Sequence, residues 1–503
     1  MQQAMTCHQQ GRLAEADDYY QQHLELLPKD AQALRLNGIL KRETGDIQGS
    51  INLLARLADL QPDNAVAFNE IALTYMAGGQ LQDAEGALDH SLHIMPGNLQ
   101  ALVNKAAILQ FRGHAHAAVE IYQSVLETTP DDIEVRCNYA KALADTGAAG
   151  DALQTVDEAL KESGNHPFVQ SIKATILADN GRHDEAIALF EACRRDMPED
   201  DMLAVNLGYS YQLSDRQDDA CNQWREAVDL NPHNARAVAD LAAAMISKGE
   251  AKAARELCEG FLLRHPGEPM VLASHGYATD ALGESSDLFD FEHLIQVIPI
   301  EAPEGFDSVT DFNAALLEQL GKDESLIEDP LNKSTLGGSQ TGELDFFSSD
   351  ALTAFAQTVH KHIIETAQLW SEKQPDHPAL FRASDNFTLR AWATFLQAGG
   401  HQTPHIHPMA WMSGVYYLAV PGEISADDSG DDTEQQGWIE FGQPPERHAT
   451  GKELSFLRSI APTEGALVLF PSYAYHRTIP FNSSEQRVSI AFDAVPLHSM
   501  AML

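Results

Sequence analysis

Three histidines are the residues of this sequence whose spacing best suits a metal site. His405 and His407 stand two residues apart in HIHPMAWMSGVYYL, and His476 lies 69 residues further on, in EGALVLFPSYAYHRTIPF. On a β-strand, residues two apart point to the same face. Neutral imidazole is a suitable metal ligand near pH 7. The spacing therefore predicts a site built from a strand pair and a distant histidine. His401, on the turn GGHQ, is expected to be a loop residue or a substrate contact.

The second half of the chain predicts the β-structure that would position these histidines. From Phe387 onward, short β-rich runs alternate with turns. The runs are FTLRAWATFLQ, WMSGVYYLAV, GWIEFG, LSFLRSIAP, GALVLFP, HRTIPF and QRVSIAFDAV. An antiparallel double-stranded β-helix (jelly-roll) closes so many strands without exposed edges. We therefore expect a jelly-roll with flanking helices and a core at residues 387–495.

The first half of the chain repeats with a period of 34 residues. Proline recurs every 34 residues, at Pro28, Pro62, Pro96, Pro130, Pro198, Pro232 and Pro266. At the one remaining position of this series, the residue is Gly164. Seventeen residues earlier stand Gly11, Gly45, Gly79, Gly113, Gly147, Gly181 and Gly249, with Asp215 as the exception. Twelve residues before each position of the proline series stands a small residue: Ala16, Ser50, Ala84, Ala118, Ala152, Ala186, Ala220 or Ala254.

This pattern predicts pairs of helices. Small residues fit where two antiparallel helices approach closely, glycine fits the turn between them, and proline ends the second helix. A 34-residue unit of this kind resembles the tetratricopeptide repeat, and stacked repeats form a superhelix that commonly binds peptides or proteins. We expect an all-α repeat domain over residues 1–283, with eight repeats and one further helix. A protein or peptide in its groove is the expected partner, and a spacer or assembly role is the alternative.

Residues 284–345 break the period and join the two halves. We expect a strand over Leu294–Ile300, a helix over Val309–Leu320, and an ordered loop over NKSTLGGSQTGELDF. An amphipathic helix is expected at residues 351–370. The second domain is accordingly assigned to residues 284–503.

Composition excludes some partners. Lys and Arg total 33 against 74 Asp and Glu, which gives a formal net charge of -41. This field repels phosphates and anionic lipid, so neither nucleic acid nor membrane is an expected partner. Five scattered cysteines without metal spacing indicate free thiols in a reducing compartment. With no apolar leader and no long apolar run, we expect a cytoplasmic protein.

The motifs together resemble the iron(II)- and 2-oxoglutarate-dependent oxygenases. HIHPMAWMSGVYYL, EGALVLFPSYAYHRTIPF and RVSIAFD occur in that order, and the last places Arg487 eleven residues after His476. The resemblance is closer to a bacterial group of such oxygenases that tetratricopeptide repeats often precede. It covers about residues 290–503 and is densest over 387–493.

The resemblance implies Fe(II), 2-oxoglutarate as co-substrate, and O2. It assigns the far carboxylate of 2-oxoglutarate to Arg487, whose forked guanidinium suits a carboxylate, with help from the hydroxyl of Ser489. Tyr416 and Tyr417 point to opposite faces of their strand, so one of them faces inward. Tyr417 is the candidate to hydrogen-bond the co-substrate, and an ordinary core tyrosine is the alternative.

One position departs from the family pattern. The usual metal triad is His-x-Asp (or Glu) with a distant His, whereas His407 stands here at the acidic position. His405, His407 and His476 can form a three-histidine site. Alternatively, only His405 and His476 bind the metal, or the site is degenerate and not catalytic. No catalytic residue beyond the metal ligands is predicted.

The favoured function is a dioxygenase that hydroxylates a protein or peptide side chain recruited by the repeats. Three rivals stay open: an interaction scaffold without catalysis, a small-molecule hydroxylase that uses its repeats for assembly, and a three-histidine dioxygenase that needs no co-substrate.

Overall fold

The computed structural model describes residues 1–330, 333–424, 435–445, 454 and 456–497. Within these residues the chain forms two compact units, Met1–Tyr139 and Ala140–Pro496. The first unit consists of helices and their turns, and the second combines helices with two antiparallel sheets. None of the helices in the described part of the chain has the length and apolar character that a bilayer crossing requires.

Residues 1–283, all of which are described, form seventeen helices, the number expected for eight pairs and a single last helix. Their bounds are α1 (Gln2–Gln9), α2 (Leu13–Leu26), α3 (Ala31–Glu43), α4 (Ile47–Leu60), α5 (Ala65–Ala77), α6 (Leu81–Ile94), α7 (Leu99–Phe111), α8 (Ala115–Thr128), α9 (Ile133–Asp145), α10 (Ala149–Ser163), α11 (Pro167–Asp179), α12 (His183–Asp196), α13 (Asp201–Leu213), α14 (Gln217–Leu230), α15 (Ala235–Ser247), α16 (Ala251–Leu262) and α17 (Pro269–Ala281). The helical-repeat fold predicted from the period is confirmed.

The periodic residues occupy the places that their chemistry predicts. The turn glycines all have φ between 71° and 86°, a left-handed conformation that glycine adopts without steric cost. Asp215, the exception in the pattern, takes the same conformation with φ 59°. The small residues twelve positions before each residue of the proline series are 0% exposed, as expected for sites of close helix packing. The 34-residue period therefore arises because each repeat needs a small residue at the contact between its helices and a glycine in its turn.

The segment between repeats and barrel contains two helices, a short helical turn and three short strands. They are α18 (Phe291–Leu294), β1 (Gln296–Pro299), α19 (Val309–Leu320), β2 (Ile327–Glu328), β3 (Thr335–Gln340) and α20 (Asp350–Lys373). The predicted helices over 309–320 and 351–370 are confirmed, and the predicted first strand is shorter than expected.

The ordered loop expected over NKSTLGGSQTGELDF is wrong in its middle. Thr335–Gln340 form strand β3, which pairs with β4 (Phe387–Gln402). A Cβ on Gly338 would lie 2.4 Å from the carbonyl oxygen of Phe395, so this glycine permits the close approach of the two strands. The glycines that suggested a loop are therefore required by the strand pairing.

The remaining strands complete a jelly-roll. They are β5 (Met412–Ala419), β6 (Ile439–Phe441), β7 (Arg458–Ile460), β8 (Ala466–Pro471), β9 (His476–Thr478) and β10 (Arg487–Pro496). One antiparallel sheet has the order β1-β8-β5-β10-β4-β3-β2, and the other has the order β7-β6-β9. The chain crosses between the two sheets repeatedly, from β5 to β6, from β7 to β8, from β8 to β9, and from β9 to β10. This alternation is that of a double-stranded β-helix, so the predicted fold class is confirmed.

Helices α19 and α20 cover the outer face of the larger sheet. Phe312 of α19 and Phe355 of α20 pack against the ring of Tyr416, with centroids 6.1 and 5.9 Å away. The hydroxyl of Tyr416 donates to Oδ1 of Asn313 at 2.6 Å. Tyr416 thus packs against helices α19 and α20, and its neighbour Tyr417 faces the barrel interior.

The last repeats and the barrel share one hydrophobic core. The core runs from Val238 in α15 through Tyr277 in α17 to Ala494 in β10. Tyr277 also donates a hydrogen bond from its hydroxyl to the carbonyl of Gly442, at 2.8 Å. Within the unit Ala140–Pro496, the helical repeats therefore form part of the support of the barrel.

Candidate metal centre

His405, His407 and His476 meet because the segment around His405 runs alongside β9 of the smaller sheet. His476 begins β9, and His405 pairs with it in an isolated antiparallel bridge with two backbone hydrogen bonds of 3.0 Å. The backbone N–H of His407 donates to the carbonyl of Ser472 at 3.1 Å. Strand pairing thus brings together side chains that lie 69 residues apart in sequence.

The spacing of the three rings suits a single metal ion. One ring nitrogen of each histidine lies within 4.8 Å of those of the other two. The Nε2 atoms of His407 and His476 are 3.3 Å apart. Nitrogen ligands about 2.1 Å from a metal ion lie roughly 3 Å from one another. The donor set therefore fits a metal ion between the rings, and three imidazoles suit iron among other transition metals.

Backbone carbonyls fix the tautomers of two of the rings. Nδ1–H of His405 donates to the carbonyl of Thr403 at 2.7 Å, and Nδ1–H of His476 donates to the carbonyl of Ala474 at 3.0 Å. A carbonyl can only accept, so each Nδ1 carries the proton and each Nε2 keeps a free lone pair. This arrangement is typical of metal-binding histidines.

The third ring is held by a carboxylate. Nδ1 of His407 lies 2.8 Å from Oδ1 of Asp493, and the hydroxyl of Ser413 donates to the same carboxylate oxygen at 2.6 Å. All three histidines consequently direct Nε2 at a common point.

Burial favours the neutral form of two of these rings. The pKa of His405 is lowered to about 3, chiefly by removal of the ring from water and secondly by the neighbouring His407. Burial likewise lowers the pKa of His476 well below its usual value, with additional effects from His405 and His407. Neutral imidazole is the form that binds a metal, so the site needs no loss of protons from these two rings near pH 7.

Aromatic rings enclose the cluster. Trp392 stacks on His407 with centroids 5.6 Å apart and an angle of 16°. Phe470 and Phe441 lie 4.6 and 5.9 Å from the ring of His476. These rings limit the orientations of the histidines and exclude water from one side of the site.

Arg487 lies on the inner face of β10 as a buried cation that forms no ion pair with a carboxylate of the described residues. It is only 2% exposed, and burial lowers the pKa of its guanidinium. The guanidinium carbon lies 4.9 Å from the ring centroid of Tyr417. Among the described residues, Nε of Arg487 has no hydrogen-bond partner, and the hydroxyl of Tyr417 has none apart from the adjacent guanidinium. Such orphaned groups are costly in a protein interior unless a ligand satisfies them.

Hydroxyl groups line the same face beside Arg487. Ser489 is buried and stands directly opposite Thr394 on β4 and Tyr417 on β5. The hydroxyl of Thr394 is also buried without a hydrogen-bond partner in the described part of the chain. The three residues predicted to contact a co-substrate, Arg487, Ser489 and Tyr417, therefore share one face, and Thr394 joins them.

The sequence patterns did not identify Asp493, Thr394 or Trp392 as residues of the site. Asp493 could have been found, because Arg487, Ser489 and Asp493 follow one another at even spacing on one strand face. His401 lies at the end of β4, where its Nδ1 is 3.2 Å from the carbonyl of Gly399. It does not belong to the histidine cluster that can hold a metal among the described residues.

Fold and site define a helical-repeat protein with a jelly-roll domain that carries a candidate three-histidine metal centre. A family described as "Putative 2OG-Fe(II) oxygenase" matches residues 390–493, which include all three histidines and Arg487. Tetratricopeptide repeat families match residues 2–34 and 35–98, and a family described as "Psidin, N-terminal TPR repeats region" matches 134–259. The matches thus place tetratricopeptide repeats in the first half of the chain and a domain of the "Putative 2OG-Fe(II) oxygenase" family at residues 390–493, as the resemblance implied.

Solved structures similar to this chain are tetratricopeptide repeat proteins. One from Parabacteroides merdae is 15% identical, with 50% of this chain and 98% of that chain covered and a TM-score of 0.43. MamA from Desulfovibrio magneticus RS-1 is 22% identical, covers 33% of this chain and 94% of its own, and has a TM-score of 0.29. YrrB, described as a TPR protein with an unusual peptide-binding site, is 17% identical, with 37% and 95% covered and a TM-score of 0.28. No curated protein matches the chain.

Proposed function

We propose that the protein is an Fe(II)- and 2-oxoglutarate-dependent dioxygenase that hydroxylates a protein or peptide substrate recruited by its repeats. The match over residues 390–493 supports the class of enzyme. The observation that carries the proposal is Arg487, a buried guanidinium on the inner face of the barrel that pairs with no carboxylate among the described residues. A dicarboxylate co-substrate would supply the anion that this cation lacks.

His405, His407 and His476 would hold the iron through their Nε2 atoms. The ring orientations fixed by Thr403, Asp493 and Ala474 support this assignment, as does the 3.3 Å between the Nε2 atoms of His407 and His476. When bound, the metal supplies the redox chemistry and the positions at which a 2-oxo acid and O2 are activated. None of the three contacting nitrogen atoms would carry a negative charge, which favours the binding of an anionic co-substrate to the metal.

The protein's own groups would bind and orient the co-substrate. Arg487 would pair with the far carboxylate of 2-oxoglutarate, while the hydroxyls of Ser489, Thr394 and Tyr417 would complete its hydrogen bonds. Overall, the substrate, 2-oxoglutarate and O2 would give a hydroxylated substrate, succinate and CO2. One oxygen atom of O2 would enter the succinate, and the other would be inserted into a C–H bond of the substrate. The aromatic rings around the histidines would keep competing water out.

The repeats make a protein or peptide the favoured substrate, because stacked repeats of this family commonly bind extended peptides. Packing of α17 against the barrel supports a role of the repeats in bringing substrate to the site. We further propose a cytoplasmic location, since all five cysteines are buried free thiols, as suits a reducing compartment.

The direct test is succinate release by the purified full-length chain, supplied with Fe(II), 2-oxoglutarate and O2. We expect a slow, Fe(II)-dependent release of succinate that cell extract stimulates and that His476→Ala abolishes. His293→Ala is the matched control, because His293 is exposed and lies outside the cluster.

Three results would overturn the proposal in different ways. Metal binding without succinate release under any condition would indicate a scaffold that has lost catalysis. Consumption of O2 without 2-oxoglutarate would indicate the co-substrate-free dioxygenase. Stimulation by the small-molecule fraction of the extract alone would replace the protein substrate by a small molecule.

A further inference from the structure

The environment of Asp493 is unusual for a carboxylate. Asp493 is only 7% exposed, and it lies on β10 directly opposite Ser413 of β5 and Arg390 of β4. One of its oxygens is 2.8 Å from Nδ1 of His407 and accepts the Ser413 hydroxyl at 2.6 Å. A buried carboxylate is retained in a protein interior only where other groups compensate its charge.

We propose that Asp493 is a positioning residue for His407. Its carboxylate supplies the metal centre with the negative charge that an acidic residue at position 407 would otherwise provide. The inference deepens the proposed function and rests on its metal site. His407 stands where the oxygenase pattern has an acid, and Asp493 lies directly behind His407. The carboxylate thus contacts Nδ1 of His407, on the side of the ring that faces away from the metal position, and does not itself occupy a ligand position.

The hydrogen bond to Asp493 has two effects on His407. It fixes the proton on Nδ1, so the lone pair of Nε2 points toward His476 and the metal position. It also increases the basicity of the ring, because the imidazole N–H shares its proton with an anion. The His407–Asp493 pair then binds a cation as a unit of net charge −1, although the contacting atom is a neutral nitrogen.

Ser413 and Trp392 hold this pair in place. The Ser413 hydroxyl occupies a lone pair of the carboxylate and prevents its rotation away from the ring. Trp392 stacks on His407 at an interplanar angle of 16° and fixes the plane of the imidazole. Ser413 lies on β5 and Trp392 on β4, and both strands pair with β10, which carries Asp493. Strand pairing therefore aligns the carboxylate of Asp493 with the imidazole ring of His407.

A purely structural role for Asp493 makes a different prediction. The amide of asparagine has nearly the same size and can still accept the Ser413 hydroxyl, so packing alone would tolerate Asp493→Asn. The amide cannot supply the charge. Its NH2 group can also donate to Nδ1 of His407, which would move the ring proton to Nε2 and block the metal position.

The test compares metal affinity of the full-length chain, with Mn(II) titrated as the probe and binding followed by calorimetry. We expect Asp493→Asn to weaken Mn(II) binding about 10- to 100-fold. Ser413→Ala should give a smaller loss in the same direction. Asp311→Asn is the matched control, because Asp311 also accepts a serine hydroxyl, from Ser308 at 2.7 Å, but lies away from the histidines.

A second readout needs no metal. Nitrogen-15 NMR of the histidine side chains in the metal-free chain should show His407 protonated on Nδ1 in the wild type and on Nε2 in Asp493→Asn. Equal Mn(II) affinity and an unchanged tautomer in Asp493→Asn would overturn the inference while leaving the metal site intact. Absence of Mn(II) binding by the wild-type chain would overturn both this inference and the proposed function.

Discussion

Arg382 donates a hydrogen bond to the backbone carbonyl of Pro408, at 3.2 Å, directly after the candidate ligand His407. The same guanidinium also donates to the carbonyl of Met409 at 3.3 Å and lies 3.4 Å from Oε2 of Glu268, the residue before α17. One side chain therefore connects the last repeat helix to the turn that carries two of the three histidines.

Arg382→Met should weaken both the fold and the metal site. The change removes the contacts to Pro408 and Met409 and leaves Glu268 buried without its cation, which we expect to cost about 1–3 kcal/mol. Urea unfolding and Mn(II) titration of the same variant measure the two effects. Arg182→Met is the control, because the Arg182–Glu185 pair is exposed to solvent and should contribute little to stability. Equal stability and Mn(II) affinity in both variants would show that Arg382 does not support the site.

Arg487→Leu should remove co-substrate binding and spare the metal. Loss of a charge-assisted pair with a carboxylate corresponds to about 1.5–3 kcal/mol, or roughly a 10- to 100-fold increase in the Kd for 2-oxoglutarate. Calorimetric titration of 2-oxoglutarate into the Mn(II)-loaded chain measures it. Arg477→Leu is the matched control, since Arg477 follows the candidate ligand His476 but pairs with Glu440. Unchanged 2-oxoglutarate affinity in Arg487→Leu would refute the role of this arginine.

Thr394→Val should stabilise the ligand-free protein and weaken co-substrate binding. The hydroxyl of Thr394 is buried and unsatisfied, so its replacement by a methyl group should add about 1 kcal/mol to the free energy of unfolding. The same change should raise the Kd for 2-oxoglutarate by roughly fivefold, equivalent to about 1 kcal/mol.

Thr335→Val provides the contrast. Its hydroxyl donates to Oε1 of Gln340 at 3.0 Å, so the substitution should destabilise the fold and leave 2-oxoglutarate binding unchanged. A destabilised Thr394→Val with normal affinity for 2-oxoglutarate would place Thr394 outside the site.

Two glycines in helices test the packing of the repeats on the barrel. A Cβ on Gly276 of α17 would lie 2.6 Å from the ring of Phe289, so Gly276→Ala should destabilise the fold by ~1–2 kcal/mol. Gly260 of α16 has open space at the same position, and Gly260→Ala should stabilise by up to ~1 kcal/mol. Urea unfolding of both variants gives the comparison. Stabilisation by both substitutions would show that α17 does not pack tightly against this part of the chain.

The sequence predicts best what depends on local periodicity. The 34-residue period identifies helix contacts because each repeat packs on its neighbours, and alternation identifies the strands from Phe387 onward. Strand β3 was missed, since Gly338 weakens the strand pattern and only pairing with β4 explains it. Alternation along β10 places Asp493 on the same face as Arg487 and Ser489, but it does not show which residue Asp493 contacts. The contact with His407 depends on the path of the chain before β5, which local spacing does not determine.

Metal content measures the central claim most directly. The wild-type chain and the variants His405→Ala, His407→Ala and His476→Ala, loaded with Fe(II) under anaerobic conditions and desalted, can be compared by elemental analysis. We expect about one iron per wild-type chain and a strong loss in each variant, because a site with two remaining imidazoles holds Fe(II) weakly. Retention of a full equivalent by His407→Ala alone would restrict the ligands to His405 and His476. Full retention by all three variants would contradict a metal centre at these histidines.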